Sequence, residues 1–341
     1  MRLSAVARAV ARAVARAVVA RVVVARAVAT LAFGSFAFAA CSSGSTEPTG
    51  TPKADTPAPG VPSPGTPQTL DAAVYPEVTF GAAPLIIIAP HGGLLVPDNI
   101  PDRNCAECVT VNDANTQDLA RQIVDSFQAR TGKRPSLVIN LLSRRKFDAN
   151  REIVEATGGY APLEPVWTAL HAAIDSARKL IGVSPGRGLV IDLHGHAHAV
   201  PRLELGYLLS ASTLRLSDST LDAQGSVAVS SIKQLAADRA GAVSSAALLR
   251  GPASLGGLIR AAGYAAVPAP DDPAPLVGES YFNGGYNTVR HGSLSGGATD
   301  AIQIECNFAG VRDTAANRGQ FAGKLAAALA TYLSDQYGWV P

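Results

Sequence analysis

Apolar residues gather in short dense runs, separated by stretches rich in glycine, proline and charge. LIIIAP at 85–90 is β-branched and stopped by Pro and Gly, the pattern of a buried strand. SLVINLL (136–142), GLVIDLHGH (188–196), LELGYLLSA (203–211) and AIQIEC (301–306) predict four more strands. Over 115–130, Leu119, Ile123, Val124 and Phe127 recur at helical spacing, and further helices are predicted over 163–181, 227–240, 253–262 and 318–337. Strands alternating with helices predict an α/β fold: a mixed, largely parallel central sheet with helices on both faces. The folded part shows no internal repeat.

The first 72 residues follow another logic. Six arginines punctuate an Ala/Val-rich stretch, and an uncharged run from 27 to 40 ends directly before Cys41. That run is shorter than the roughly 20 apolar residues of a membrane span. It predicts a signal peptide over 1–40. Ala39 and Ala40 before Cys41 resemble a bacterial lipobox, with Phe38 where leucine is more usual. Residues 41–72, rich in Pro, Gly, Ser and Thr, have little to bury and predict a tether after a lipidated Cys41. The alternative is a plain secretory signal followed by an unmodified cysteine. The catalytic domain is then expected over 73–341, in an exported protein anchored by lipid in the bacterial cell envelope.

Charge changes the picture once the signal is set aside. The whole chain carries a formal +2, but residues 1–40 hold six arginines and no lysine or acid, so 23 basic and 27 acidic residues remain, a formal −4. No basic field for nucleic acid survives. Hydrophobic residues make up 47% of the chain, enough for a substantial core. Nothing in the pattern speaks to oligomeric state. Cys105 and Cys108 (NCAEC) have no second pair with which to complete a zinc site, so in an exported protein a small disulfide is the better reading, with redox work the rival. Cys306 lies within an apolar run and predicts a buried thiol.

Polar chemistry collects at predicted strand ends, where open α/β sheets gather ligands. His91 stands in APHGG, either as a hydrogen-bonded loop residue or with the glycines letting the backbone turn about whatever the imidazole binds. His194 ends the strand of IDLHGHAH, with His196 and His198 beyond it. Asp192 could fix its tautomer or cap a turn. Glu305 ends QIE, where a carboxylate is either paired with a cation or poised as a general base. SRRKFDANRE carries Arg144, Arg145, Asp148, Asn150 and Arg151, a solvated turn or a fork for a carboxylate. YFNGGYNTVRHG, with Arg290 and His291, is an ordered loop or one that closes over a small substrate.

Taken in order, PHGG (90–93), SR…DANR (143–151), DLHGH (192–196), YFNGGYNTVRHG (281–292) and QIE (303–305) resemble the N-formylglutamate amidohydrolase family, whose fold is similar to that of the zinc carboxypeptidases and phosphorylase/hydrolase proteins. The resemblance spans most of the folded part, and the GGY…RHG and QIE pair is its most specific portion. It implies one zinc-type ion held by His91 and His194, with Glu305 as the base that activates water. Asp113 is its third ligand, in a loose alignment that leaves Asp118 open. Asn150 and Arg151 would hold a substrate carboxylate, and Arg290 a second anion contact on the closing loop. The H-x-x-E pattern of carboxypeptidases is absent, since Leu94 is the third residue after His91. An exported member is expected to cleave an amide in a small N-acyl amino acid or peptide-like substrate bearing a free carboxylate. The rivals are a non-catalytic solute-binding lipoprotein that uses the same pocket, and a redox protein centred on Cys105 and Cys108.

Overall fold

The computed structural model describes residues 70–341. The signal, Cys41 and most of the tether lie outside the described residues. In chain order the elements are β1 (Pro76–Thr79), β2 (Leu85–Ala89), α1 (Thr116–Thr131), β3 (Ser136–Asn140), α2 (Ile153–Thr157), α3 (Glu164–Val183), β4 (Gly188–Gly195) and β5 (Leu203–Gly206). A run of short helices follows: α4 (Ala211–Leu214), α5 (Asp218–Gln224), α6 (Lys233–Asp238), α7 (Ser245–Arg250) and α8 (Leu255–Ala261). The chain closes with β6 (Ala266–Val267), α9 (Tyr286–His291), β7 (Thr299–Cys306) and α10 (Ala315–Tyr337).

The strands form one seven-stranded sheet in the order β1-β3-β2-β4-β7-β5-β6. β3, β2, β4 and β7 run parallel to one another, β5 and β6 are mutually parallel, and antiparallel pairings occur at β1–β3 and β5–β7. This is the expected mixed, largely parallel sheet. Strand alternation explains how it is covered on both sides. Leu85, Ile87 and Ala89 of β2 face one core, shared with Leu119, Ile123 and Phe127 of α1 and with Phe321, Leu325 and Leu329 of α10. Ile86 and Ile88 face the other, shared with Val166, Leu170, Ile174 and Ile181 of α3. Both rows are apolar, which is why β2 reads as an unbroken run.

Two expectations are corrected. The strand expected over 203–211 stops at Gly206, where a Cβ would lie 2.5 Å from the backbone nitrogen of Gly284, and Leu208 then takes a left-handed conformation (φ 64°) that turns the chain. The helix expected over 227–240 is broken. Ser230 Oγ donates to the Val227 carbonyl and accepts from the Ile232 N–H, diverting the chain until α6 begins. There the buried Asp300 carboxylate of β7 accepts the N–H groups of Gln234 and Leu235, so the helix start is capped from another element. Cys105 and Cys108 are paired as a disulfide, and Cys306 is buried. Among the described residues no helix is long and apolar enough to cross a membrane.

Candidate functional site

The central strands change character toward their carboxyl ends. On the α3 face the rows start with Ile86, Val190 and Ala301 and end in polar groups: Asp192 and His194 on β4, Gln303 and Glu305 on β7. Asp192 pairs with Gln303 and His194 with Glu305 in the β4–β7 register, so all four side chains leave the sheet on the same side. His91 enters just beyond the end of β2, and Asp113 comes from the loop before α1.

Three ligand-type side chains meet here. His91, Asp113 and His194 are buried and offer ligand atoms that lie within 4.8 Å of one another. Asp113 Oδ2 is 3.4 Å from His91 Nδ1 and 3.1 Å from His194 Nδ1. The outer ring nitrogens face carboxylates: His91 Nε2 lies 2.6 Å from Asp148 Oδ1, and His194 Nε2 lies 3.2 Å from Asp192 Oδ2. A proton on each Nε2 donates outward and leaves both Nδ1 lone pairs facing Asp113, the arrangement in which imidazoles serve as ligands. His91 Nδ1 has no hydrogen-bond partner although it is buried. The donor set therefore fits one divalent cation of the zinc type, with two imidazole nitrogens and a carboxylate oxygen.

The electrostatics point the same way. Burial pushes Asp113 up and the two histidines pull it down, and the balance leaves it below the usual carboxylate range. Burial opposes charge on His194, yet Asp192 and Asp113 outweigh it and raise its pKa well above the usual imidazole value. Positive charge is what the carboxylates around this nitrogen favour, and a proton and a metal ion compete for it. Glu305 stands beside the cluster, its Oε1 4.0 Å from His194 Nδ1. Burial pushes its carboxyl up to about 8 although His194 works against the rise. Gln303 Nε2 donates to Oε1 at 3.0 Å, while Oε2 has no partner.

No family model matches this chain, and no curated protein does. Among solved structures it is similar to N-formylglutamate amidohydrolase from Ralstonia eutropha, at 13% identity over 78% of this chain and 99% of that one, with a TM-score of 0.46. It is also similar to a gene product of Agrobacterium tumefaciens, at 14% identity over 76% and 95%, TM-score 0.44. A third likeness is to succinylglutamate desuccinylase from Chromobacterium violaceum, at 13% identity over 72% and 62%, TM-score 0.32. At these scores the likenesses assign neither a family nor an activity.

The cavity over the cluster measures about 180 Å³ and is lined by His91, Asp113, His194 and Glu305 together with Asn150, Arg151, Arg144 and the loop around Gly284. Asn150 lines the cavity and holds α9 to the site, its Oδ1 accepting the Asn287 N–H at 2.7 Å. Its Nδ2 lies 3.2 Å from His194 Nε2, which cannot accept while it carries the proton given to Asp192, so the amide N–H groups remain free to donate. Arg151 Nε pairs with Glu155 and one Nη donates to the Asn150 carbonyl, and its side chain is 33% exposed at the cavity wall.

Arg290 departs from expectation: it does not line the cavity. It sits in the last turn of α9, where its guanidinium lies 5.0 Å from the Trp167 ring centre and 3.7 Å from Asp175. Arg144 lines the wall instead, bonded to Asp148 at 3.0 Å. Asp118 is also elsewhere, 54% exposed on α1 and paired with Arg121. The glycines after His91 serve packing, since a Cβ on Gly92 would lie 2.5 Å from Thr116 Oγ1 and one on Gly93 2.0 Å from the Leu142 carbonyl.

Sequence reasoning assigned no role to three residues that build the site. Asp148 orients His91 from 57 positions away. Glu204, fully buried opposite Glu305 on β5, bonds His198 Nδ1 and the Phe282 N–H, each at 2.8 Å. Arg312 donates to the carbonyls of Cys306, Ala114 and His196. Apolar context could have flagged Glu204, a lone acid in LELG; nothing local marks the other two. His196 and His198 gather with Glu204, but His196 engages both ring nitrogens, with the Arg202 carbonyl and the His198 N–H.

Proposed function

We propose that the protein is a metal-dependent hydrolase that cleaves the amide of an N-acyl amino acid or peptide-like substrate bearing a free carboxylate. The observation that carries this reading is the His91–Asp113–His194 donor set with the unpartnered Glu305 Oε2 beside it. A zinc-type ion held there would polarise the amide carbonyl and lower the pKa of water from about 15.7 toward 7. Glu305 accepts a proton from the attacking water as its oxygen adds to the carbonyl carbon. It returns that proton to the amide nitrogen as the C–N bond breaks, giving a carboxylic acid and an amine, and transfer of the acid's proton to the amine leaves a carboxylate and an ammonium. Asp148 and Asp192 hold the two imidazoles in the tautomer this requires. Measuring bound metal in the purified protein, together with turnover of a panel of N-acyl amino acids, tests the reading; a metal-loaded protein inert toward the whole panel would overturn it.

Arg151 would hold the substrate's acid: it lines the cavity wall, and among the described residues only its Nε and one Nη are engaged, with Glu155 and the Asn150 carbonyl. A hydrogen bond to a charged group contributes roughly 1.5–3 kcal/mol, enough for a tenfold preference or more. Free acids should therefore be hydrolysed at least about tenfold better than their methyl esters. Arg151→Ala should erase most of that preference with metal content unchanged. Equal kcat/KM for acid and ester in the native protein would refute the clamp.

The pattern over 1–72 supports export and lipid attachment at Cys41, with the folded domain carried in the cell envelope. Cys41→Ser should move the protein out of the membrane fraction or block signal processing. Unchanged fractionation and processing would exclude the anchor.

A further inference from the structure

The polar cavity adjoins a second one that the hydrolysis described above leaves unused. This neighbour measures about 430 Å³ and shares Asp113, Arg144, Gly195 and Phe282 with the first as common wall. Beyond them most of its exposed lining is apolar, from Val109, Val111, Ala114 and Phe308, with Asn112, His196, His198 and Arg312 as the polar members of the wall. Val111 is 75% exposed, and Val109 and Phe308 are nearly half exposed, so apolar surface lies open beside a charged site. One wall is braced from beneath. The Phe282 ring stacks on His198 at 4.6 Å, and buried Glu204 holds both residues. Cavities of about 300–1,000 Å³ hold whole small molecules, so the space suits a chain of several carbons.

The shared wall gives this space a direction. Arg151, His91 and His194 border only the polar cavity, whereas Asp113 and Arg144 border both, so the second cavity opens on the Asp113 side of the cluster. A substrate with its acid on Arg151 and its carbonyl at the cluster has its acyl group pointing away from Arg151, into the apolar cavity. We infer that this cavity is an acyl-chain subsite and that the protein prefers N-acyl amino acids with long apolar acyl groups to formyl or acetyl ones. The inference rests on the amide-hydrolase reading, and its test separates the two.

The full-length protein is assayed with N-formyl, N-acetyl, N-hexanoyl and N-decanoyl forms of one amino acid. Binding of the same series to Glu305→Gln is measured by calorimetry. Burying one methylene changes an equilibrium roughly fourfold, so kcat/KM is expected to rise at least about tenfold from acetyl to decanoyl, with affinity rising in parallel. Val111→Asp places a charge in the wall at an exposed position and should lower the decanoyl-to-acetyl ratio by about tenfold. Turnover and binding that are both indifferent to chain length, or a preference for acetyl, would overturn the subsite. Affinity that rises with chain length while no amide is cleaved would uphold the subsite and overturn the hydrolase reading.

Discussion

Glu305→Gln should lower hydrolysis of the best N-acyl amino acid by at least about 10²-fold, the usual scale for removing a general base, while bound metal and thermal stability stay as in the native protein. The substitution is nearly isosteric. Glutamine can still accept the Gln303 Nε2 bond at one oxygen, so the buried end of β7 keeps its partner. What disappears is Oε2, the unpartnered oxygen beside the ligand cluster, replaced by an NH₂ that donates and cannot take a proton. Glu305 is not one of the three residues whose ligand atoms converge, so elemental analysis should show unchanged metal. Near-normal turnover in this variant would show that another group moves the proton and would remove Glu305 from the chemistry.

His194→Ala should abolish activity by a different route, through loss of the metal itself. Even partners that only orient a ligand cost about 10–100-fold in metal affinity when removed, so deleting a ligand atom should cost more than about 100-fold. The variant leaves Asp113 with one imidazole 3.4 Å away in place of two. Equilibrium dialysis against zinc, with a melting temperature to check folding, reads the effect directly. A folded His194→Ala protein that retains a full equivalent of metal would place the ion elsewhere.

The frame of this molecule was legible because its central strands are buried on both faces. β2 and β4 are apolar in both rows until they reach the site, and β7 is so only after Thr299 and the buried Asp300 at its start, so each reads as a dense run ending abruptly in His91, His194 or Glu305. Those three side chains are visible in the sequence as polar groups where the apolar run fails. Asp148 carries no such contrast, since it lies in a charged loop and acquires its role from a contact with a residue on another strand's end. Arg290 misled for a related reason: its neighbourhood in sequence is that of the glycine loop, but the turn of α9 carries its side chain toward Trp167. Between β5 and β6 periodicity picked out α8 within 253–262 and α6 within the broken 227–240, but α4, α5 and α7 escaped it because helices of four to seven residues, each opening on a serine cap, are too short to show a stripe. β1 and β6 are likewise too brief to stand out.

The single guanidinium of Arg312 ties together the tail of β7, the loop that carries Asp113 and the turn leaving β4, each through a backbone carbonyl. A Cβ on Gly195 would lie 2.3 Å from that group, so the strand end must stay bare for the tie to fit. The scaffold thus spends its ordering entropy during folding, independently of any ion. Affinity for an ion at the cluster would then depend little on reorganising the chain, and removing such an ion would leave a cage whose struts remain standing.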